Sequence, residues 1–297
     1  MDHETKHILR RVVIDFCIFL CVALPILFFY LWGEPYKRGF FCDDESLKHP
    51  YHDSTVTNIM LYLIGLLFPV SMMVCVEVFR ARGCTRSSRT GRIMGYQLPT
   101  WLWSSYCAIG TFAFGVACSQ LTTDIAKYSI GRLRPHFFDV CNPDVDCSEP
   151  SNMNRYIENF QCLGTNPRLI KEMRLSFPSG HSSFSAYTML YCVMYLQARM
   201  SRRGAYLVRN FLQFLLLMLF WYTALSRISD YKHHWSDVLA GSLLGLTVAI
   251  VTVRYISDLY TPNRCSINSI AKESFPDNDY DVNMRTQNGV TNNTLSV

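Results

Sequence analysis

FLQFLLLMLFWYTALSRISDYKHHWSDVLAGSLLGLTVAIVTV, residues 211–253, decides the fold. Two strongly apolar runs enclose SRISDYKHHWSD, Ser226 to Asp237, where cations, two adjacent histidines and aspartates crowd together. A bilayer core about 30 Å thick needs roughly 20 mostly apolar helical residues. Runs of this kind read as membrane-crossing helices, and the polar stretch between them lies at a membrane face. It is either a plain interhelical loop or part of an active site.

The rest of the chain repeats the pattern. Of 297 residues, 49% are hydrophobic and only 17% charged, with a net charge of +5. Low charge and segregated apolar runs exclude a pair of soluble domains. Apolar segments lie at about 12–32, 57–79, 100–124, 182–198, 210–226 and 238–256. The fourth and fifth are short and need a flanking turn to span. The expected fold is therefore all-α, an integral membrane bundle of six helices occupying residues 12–260. The first run is too long for a signal-peptide core and lacks a small-residue cleavage site, so it reads as a retained helix. Pro25 and Pro69 fall inside helices, where they kink rather than end them.

Basic residues set the orientation. Lys6, Arg10 and Arg11 precede the first helix; Arg80, Arg82, Arg86, Arg89 and Arg92 follow the second; Arg199, Arg202, Arg203 and Arg209 follow the fourth. Short basic loops belong on the cytosolic side. Both termini are then cytosolic: a tail at 1–11, and a polar tail at 261–297 with little to bury, expected to be disordered. The outer loops are 33–56, 125–181 and 227–237. Cys42, Cys141, Cys147 and Cys162 lie in them, where an oxidising compartment permits disulfides. Pairing is expected among Cys141, Cys147 and Cys162, with the connectivity open.

Three outer segments carry chemistry. In KYSIGRLRP, Lys127 and Arg134 are two helical turns apart, and Pro135 ends the helix. Taken alone, both could be cations reaching lipid headgroups. In FPSGHSSF, Ser179-Gly180-His181 open a helix whose unpaired N–H groups and dipole suit an anion. Alone, Ser179 is an ordinary helix cap. In the opening stretch, Arg227 offers a planar fork for phosphate oxygens. The four-residue spacing of His233 and Asp237 brings a carboxylate within reach of an imidazole if the stretch is helical. Such a carboxylate fixes the tautomer and frees the other ring nitrogen to attack. Asp230 and Lys232 read as solvated loop charges, and His234 is left without a role.

The conjunction is harder to explain as ordinary structure. Three cations, a helix N-terminus and two histidines all fall on one membrane face. A phosphate monoester carries about −1.5 to −2 charge near neutrality, so Lys127, Arg134 and Arg227 match it without a metal. A His/Asp metal site is disfavoured, because dense cations repel a second positive ion.

Together these segments, K-x6-R-P, PSGH and S-R-x5-H-x3-D, resemble the three-part signature of the type 2 phosphatidic acid phosphatase superfamily. The chain is most similar to its integral-membrane lipid phosphate phosphatases over roughly residues 10–260, and PYKRGFFCDDESLKHPY (residues 35–51) resembles that group too. The resemblance implies that His233 attacks phosphorus to form a phosphohistidine and that Asp237 orients it. It implies that His181 protonates the leaving alkoxide and then helps water attack. Lys127, Arg134, Ser179, Gly180 and Arg227 would cradle the phosphoryl oxygens, with no cofactor and no Mg²⁺. The expected substrates are phosphatidate, lysophosphatidate, sphingosine 1-phosphate and ceramide 1-phosphate in the bilayer, hydrolysed on the extracytosolic face of the plasma membrane or an internal membrane.

No nucleic-acid partner is expected. Gly241-x3-Gly245 permits close helix packing, and with it a homo-oligomer. A lipid-phosphate binder or adhesion protein without turnover is the alternative reading. A transporter is a third, resting on the intramembrane charges Asp15 and Glu77. Snorkelling near the cytosolic ends explains those two more simply.

Overall fold

The computed structural model describes residues 3–82, 92–93, 96–200 and 206–260. The expected C-terminal tail and Arg86, Arg89, Arg202 and Arg203 lie outside the described residues. The described chain begins with α1 (His3–Trp32), β1 (Phe40–Phe41), α2 (Asn58–Tyr62) and α3 (Phe68–Arg82). Next come β2 (Arg92–Ile93), β3 (Tyr96–Gln97), α4 (Thr100–Ile130), α5 (Phe137–Cys141), β4 (Tyr156–Ile157) and α6 (Pro167–Glu172). The last are α7 (Gly180–Arg199), α8 (Tyr206–Ser229) and α9 (Trp235–Val251).

Helix α1 starts at His3, well before its apolar run, so most of the expected 1–11 tail is helical. Helices α2 and α3 form one rod interrupted by a π-helical segment, Leu63–Leu67. Pro69 has no N–H to give the carbonyl four residues back, and a lost ladder bond favours such a bulge.

Among the described residues, five helical segments are long and apolar enough to cross a membrane: Thr5–Trp32, Asn58–Arg82, Thr100–Ile130, Leu207–Ser229 and Trp235–Ile256. The chain is a multi-pass membrane protein. Helix α7, expected as the sixth span, is 20 residues long but is not one of the five. It is the centre of the bundle, packed against α4, α8 and α9. Ser182, Ser183, Ser185 and Thr188 are buried on it against protein rather than lipid, so its sequence can be more polar.

Tyr187, Tyr191 and Tyr195 recur every four residues along one face of α7 and are fully buried. Each hydroxyl donates to a main-chain carbonyl of a neighbouring helix, those of Phe112, Ala108 and Met73. A buried tyrosine needs such a partner. The single Tyr195 proton is shared with Glu77, the nearer acceptor at 2.8 Å, which is 3% exposed and also accepts from Arg80. Glu77 is therefore a buried, paired carboxylate and not a snorkelling one.

Gly241 and Gly245 of α9 face the backbone of Ser179 and Ser183, where an added Cβ would collide with main-chain oxygen. This glycine pair serves packing within the chain. Above one end of the bundle the loops form a second core of Phe40, Leu133, Phe137 and Met173 with Phe138 and Phe160 around them. Strands β1 and β4 pair antiparallel there. Cys141 is bonded to Cys162, within the expected region, but Cys147 is bonded to Cys42, 105 residues away. The β1–β4 pairing brings the Cys42 loop beside the 141–162 segment, a proximity that sequence spacing does not show.

Candidate active site

Three chain segments converge beneath this cap. Helix α4 ends at Gly131, which takes the left-handed conformation (φ 58°) that glycine adopts without strain. The chain then runs back through Arg132 and Arg134, whose backbones pair with Ser176 and Met173. Ser179 caps α7, its Oγ accepting from the Ser182 N–H. After α8 a tight turn through Tyr231 (φ 52°) lets the N–H groups of Lys232 and His233 both donate to the Arg227 carbonyl. His234 caps α9, and the Ser179 N–H donates to the Asp237 carbonyl, joining the second and third segments.

This backbone places the side chains. His233 is 4% exposed, and its Nδ1 lies 2.7 Å from the Ser176 carbonyl oxygen. A carbonyl only accepts, so Nδ1 carries the proton and the Nε2 lone pair is left available. Burial, reinforced by the charges of Arg134 and Lys127, holds the His233 pKa well below its usual value. Its neutral form therefore prevails at physiological pH. His181 Nε2 donates to the Val56 carbonyl at 3.2 Å, tying α7 to the stretch before α2.

Lys127 reaches the start of α7, where a Cβ on Gly180 would stand 2.9 Å from its Nζ. Arg134 Nε is buried and has no hydrogen-bond partner among the described residues. A buried donor without an acceptor is costly unless a ligand supplies one. Arg227 is 1% exposed and bonds Asp230 at 2.7 Å and Ser54 at 3.3 Å. No group of three or more His, Cys, Asp or Glu able to hold a metal occurs among the described residues.

The polar stretch differs from expectation at three places. Asp230 and Lys232 are 7% and 5% exposed, so neither is a solvated loop charge. Asp230 accepts from Arg227 and from the Thr55 N–H and hydroxyl. Lys232 lies 3.5 Å from the Tyr51 ring centroid and is a fourth cation of the site. Burial, then Arg134 and Arg227, bring its pKa down to about 8.

Asp237 makes no hydrogen bond to His233 among the described residues. Its carboxylate accepts from Ser176 Oγ at 2.6 Å, from Arg132 Nη1, and from the N–H and Nδ1 of His234 at 3.1 Å each. The four-residue rule fails because α9 begins at Trp235, leaving His233 outside the helix.

Comparison with known proteins identifies the family. Residues 108–260 match the PAP2 superfamily model, a span that contains all three segments. A Drosophila melanogaster protein named "Putative phosphatidate phosphatase" is 57% identical over 267 residues, covering 86% of this chain and 70% of its own. The chain belongs to the PAP2 superfamily. Phospholipid phosphatase 1 of Rattus norvegicus is 45% identical over 255 residues, covering 85% of this chain and 86% of its own. Phospholipid phosphatase 2 of Homo sapiens is 40% identical over 260 residues, covering 86% of each. No solved structure matches. This PAP2 protein is a phosphatase of the lipid phosphate type and acts in lipid metabolism at a membrane.

Sequence reasoning missed Ser176, Arg132, Tyr51 and Thr55 in this PAP2 site. Ser176 and Arg132 adjoin two of the motifs, which is the only local signal they give. Tyr51 and Thr55 come from the loop between α1 and α2 and gain their contacts only through the fold.

Proposed function

We propose that this PAP2 phosphatase hydrolyses phosphatidate and related lipid phosphate monoesters through a phosphohistidine on His233. The observation that carries the reading is the His233 ring: buried, Nδ1–H fixed on a carbonyl, Nε2 free, and cations facing it. In the first half-reaction, Nε2 attacks phosphorus and the bond to the lipid oxygen breaks. His181 gives its proton to the departing alkoxide from Nδ1, the nitrogen not held by Val56. A dianionic phosphate nearby favours the protonated form of His181. In the second half, His181 takes a proton from water as its oxygen attacks phosphorus. The P–N bond breaks, its pair returns to Nε2, and inorganic phosphate leaves.

Lys127, Arg134, Arg227 and the N-terminus of α7 at Ser179 and Gly180 stabilise charge on the transferring group. Lys232 adds a further positive charge nearby. On this reading no Mg²⁺ is needed. An apolar cavity of about 120 Å³, lined by Val56, Met60, Ile64, Gly65, Met189 and Tyr222 among others, lies between the α2–α3 rod, α7 and α8. Val56 belongs both to this cavity and to the His181 contact. That continuity supports a substrate with an acyl chain beside its phosphate. Sphingosine 1-phosphate, ceramide 1-phosphate and lysophosphatidate share this chemistry.

The reading includes α7 as a sixth crossing, about 30 Å long at 1.5 Å per residue. It also places both termini in the cytosol and the site on the outer face of the plasma membrane. The test is turnover of phosphatidate in detergent micelles with excess chelator. Radiolabelled phosphate should be trapped on His233, and His233→Ala should abolish both trapping and release. A Mg²⁺ requirement, or full turnover by His233→Ala, would refute the mechanism.

A further inference from the structure

We propose that Asp237 acts on His233 through Ser176, and that Arg132 fixes this connection from outside. Ser176 and Asp237 are fully buried and His233 nearly so. Ser176 makes three hydrogen bonds in three directions. Its hydroxyl donates to Asp237 at 2.6 Å, its carbonyl accepts from His233 Nδ1 at 2.7 Å, and its N–H donates to the Arg132 carbonyl at 3.0 Å. Arg132 completes the circuit, its Nη1 donating to Asp237 and, at 2.8 Å, to Ser236. The carboxylate thus sets the serine, and the serine's main chain sets the imidazole.

By this linkage Asp237 acts on the ring that attacks without touching it. With Nδ1 held by a neutral carbonyl, the Nε2 lone pair is aimed by the position of one backbone oxygen. Anything that lets Ser176 shift swings the nucleophile away from phosphorus. A displacement on the order of 1 Å at a reacting atom can cost about 10²-fold in rate. The charged or titratable groups facing His233 are Lys127 of α4, Arg134 of the following segment and His181 of α7. None of them supplies an acceptor for Nδ1. Ser176 and Arg132 are positioning residues, acting through Asp237 and His233.

The proposal rests on His233 being the nucleophile, and rapid-quench labelling with radioactive phosphatidate separates the two claims. Ser176→Ala should form the phosphohistidine about 10²-fold more slowly, with kcat falling in parallel, vanadate inhibition weakening with it and KM unchanged. Arg132→Gln should show the same split with a smaller loss, and Arg132→Lys, which restores the charge at a partly exposed position, should recover most of it. A merely structural role would move the unfolding temperature and KM without that rescue. If wild-type protein carries no label on His233, the underlying mechanism fails. If wild type labels on His233 while folded Ser176→Ala labels equally fast, the mechanism stands and the Ser176 linkage is wrong. Should Ser176→Ala not fold, the Arg132 pair decides: equal labelling by Arg132→Gln and wild type overturns the proposal.

Discussion

Removing the carboxylate of Asp230 tests how far the active-site turn is a folded core and not a surface loop. The side chains of Arg227 and Asp230 are 2% and 9% exposed, and their contact is 2.7 Å. Breaking a buried ion pair from one side costs about 3–5 kcal/mol, because the surviving charge stays buried without its partner. The Thr55 N–H and hydroxyl lose their acceptor as well. A substitution of a solvated charge stays within about 0.5 kcal/mol. At roughly 2 °C per kcal/mol for a chain of this size, Asp230→Ala should melt about 6–10 °C below wild type. Glu34→Gln, on an exposed loop residue, should melt within about 1 °C. The assay is thermal unfolding in detergent followed by intrinsic fluorescence, with Thr55→Val and the double variant completing a cycle. Non-additivity of about 0.5–3 kcal/mol is expected for groups in direct contact. If Asp230→Ala melts with Glu34→Gln, or the cycle is additive, the buried-pair argument is refuted.

Other perturbations give distinct readouts. Lys232 has its pKa brought down to about 8 in the folded protein, so the free site loses a positive charge as pH rises through that value. The kcat/KM for phosphatidate should therefore fall above about pH 8, and Lys232→Gln should lower the plateau and remove that step from the profile. The His233 pKa lies well below its usual value, so acidification from pH 7.5 to 6.5 should not protonate the nucleophile; an activity loss that disappears on changing the leaving lipid would belong to the substrate. Cys42→Ser opens a disulfide spanning 105 residues and should destabilise the cap more than Cys162→Ser, which opens one spanning 21. Limited proteolysis of residues 143–165 is the readout, and equal protection in both variants would contradict it. Gly241→Val drives a side chain into the Ser179 backbone and should lower both folded yield and turnover; wild-type turnover would refute the α7–α9 packing.

What the sequence revealed, and what it concealed, follows from which contacts are local. Five crossings were legible because lipid demands apolar residues over a length that a single run records. Helix α7 was the weakest of the six runs for the opposite reason: its serines and tyrosines face protein, so hydropathy measures the wrong neighbour. That Lys127, Arg134, Ser179, Gly180, His181, Arg227 and His233 lie near one another was legible because each stands in a motif at a helix end. The roles assigned to their neighbours were less so. The spacing of His233 and Asp237 suggested a direct contact, yet the helix starts two residues after His233, and the carboxylate meets Ser176 instead. Asp230 and Lys232 looked solvated because their partners, Thr55 and Tyr51, lie about 175 residues away. Cys42 looked unrelated to Cys147 for the same reason.

These long-range contacts share one property, which bears on how the site works. Thr55, Tyr51 and Val56 all come from the stretch between the cap and α2, and they hold Asp230, Lys232 and His181 in turn. The clustered cations of this site would repel one another if left free, and at short range in a poorly solvated site that repulsion is large. The loop between α1 and α2 offsets it by fixing Arg227 through Asp230 and covering Lys232 with an aromatic face, while Arg134 Nε keeps an unfilled donor. On the proposed mechanism the loop is therefore part of the phosphate site, although it carries no residue of the three motifs. On the proposed mechanism, substitutions at Thr55 or Tyr51 should act on KM through the cations, whereas those at Ser176 should act on kcat through His233. A variant of Tyr51, such as Tyr51→Leu, that lowered kcat at constant KM would break this division between the loop and the serine.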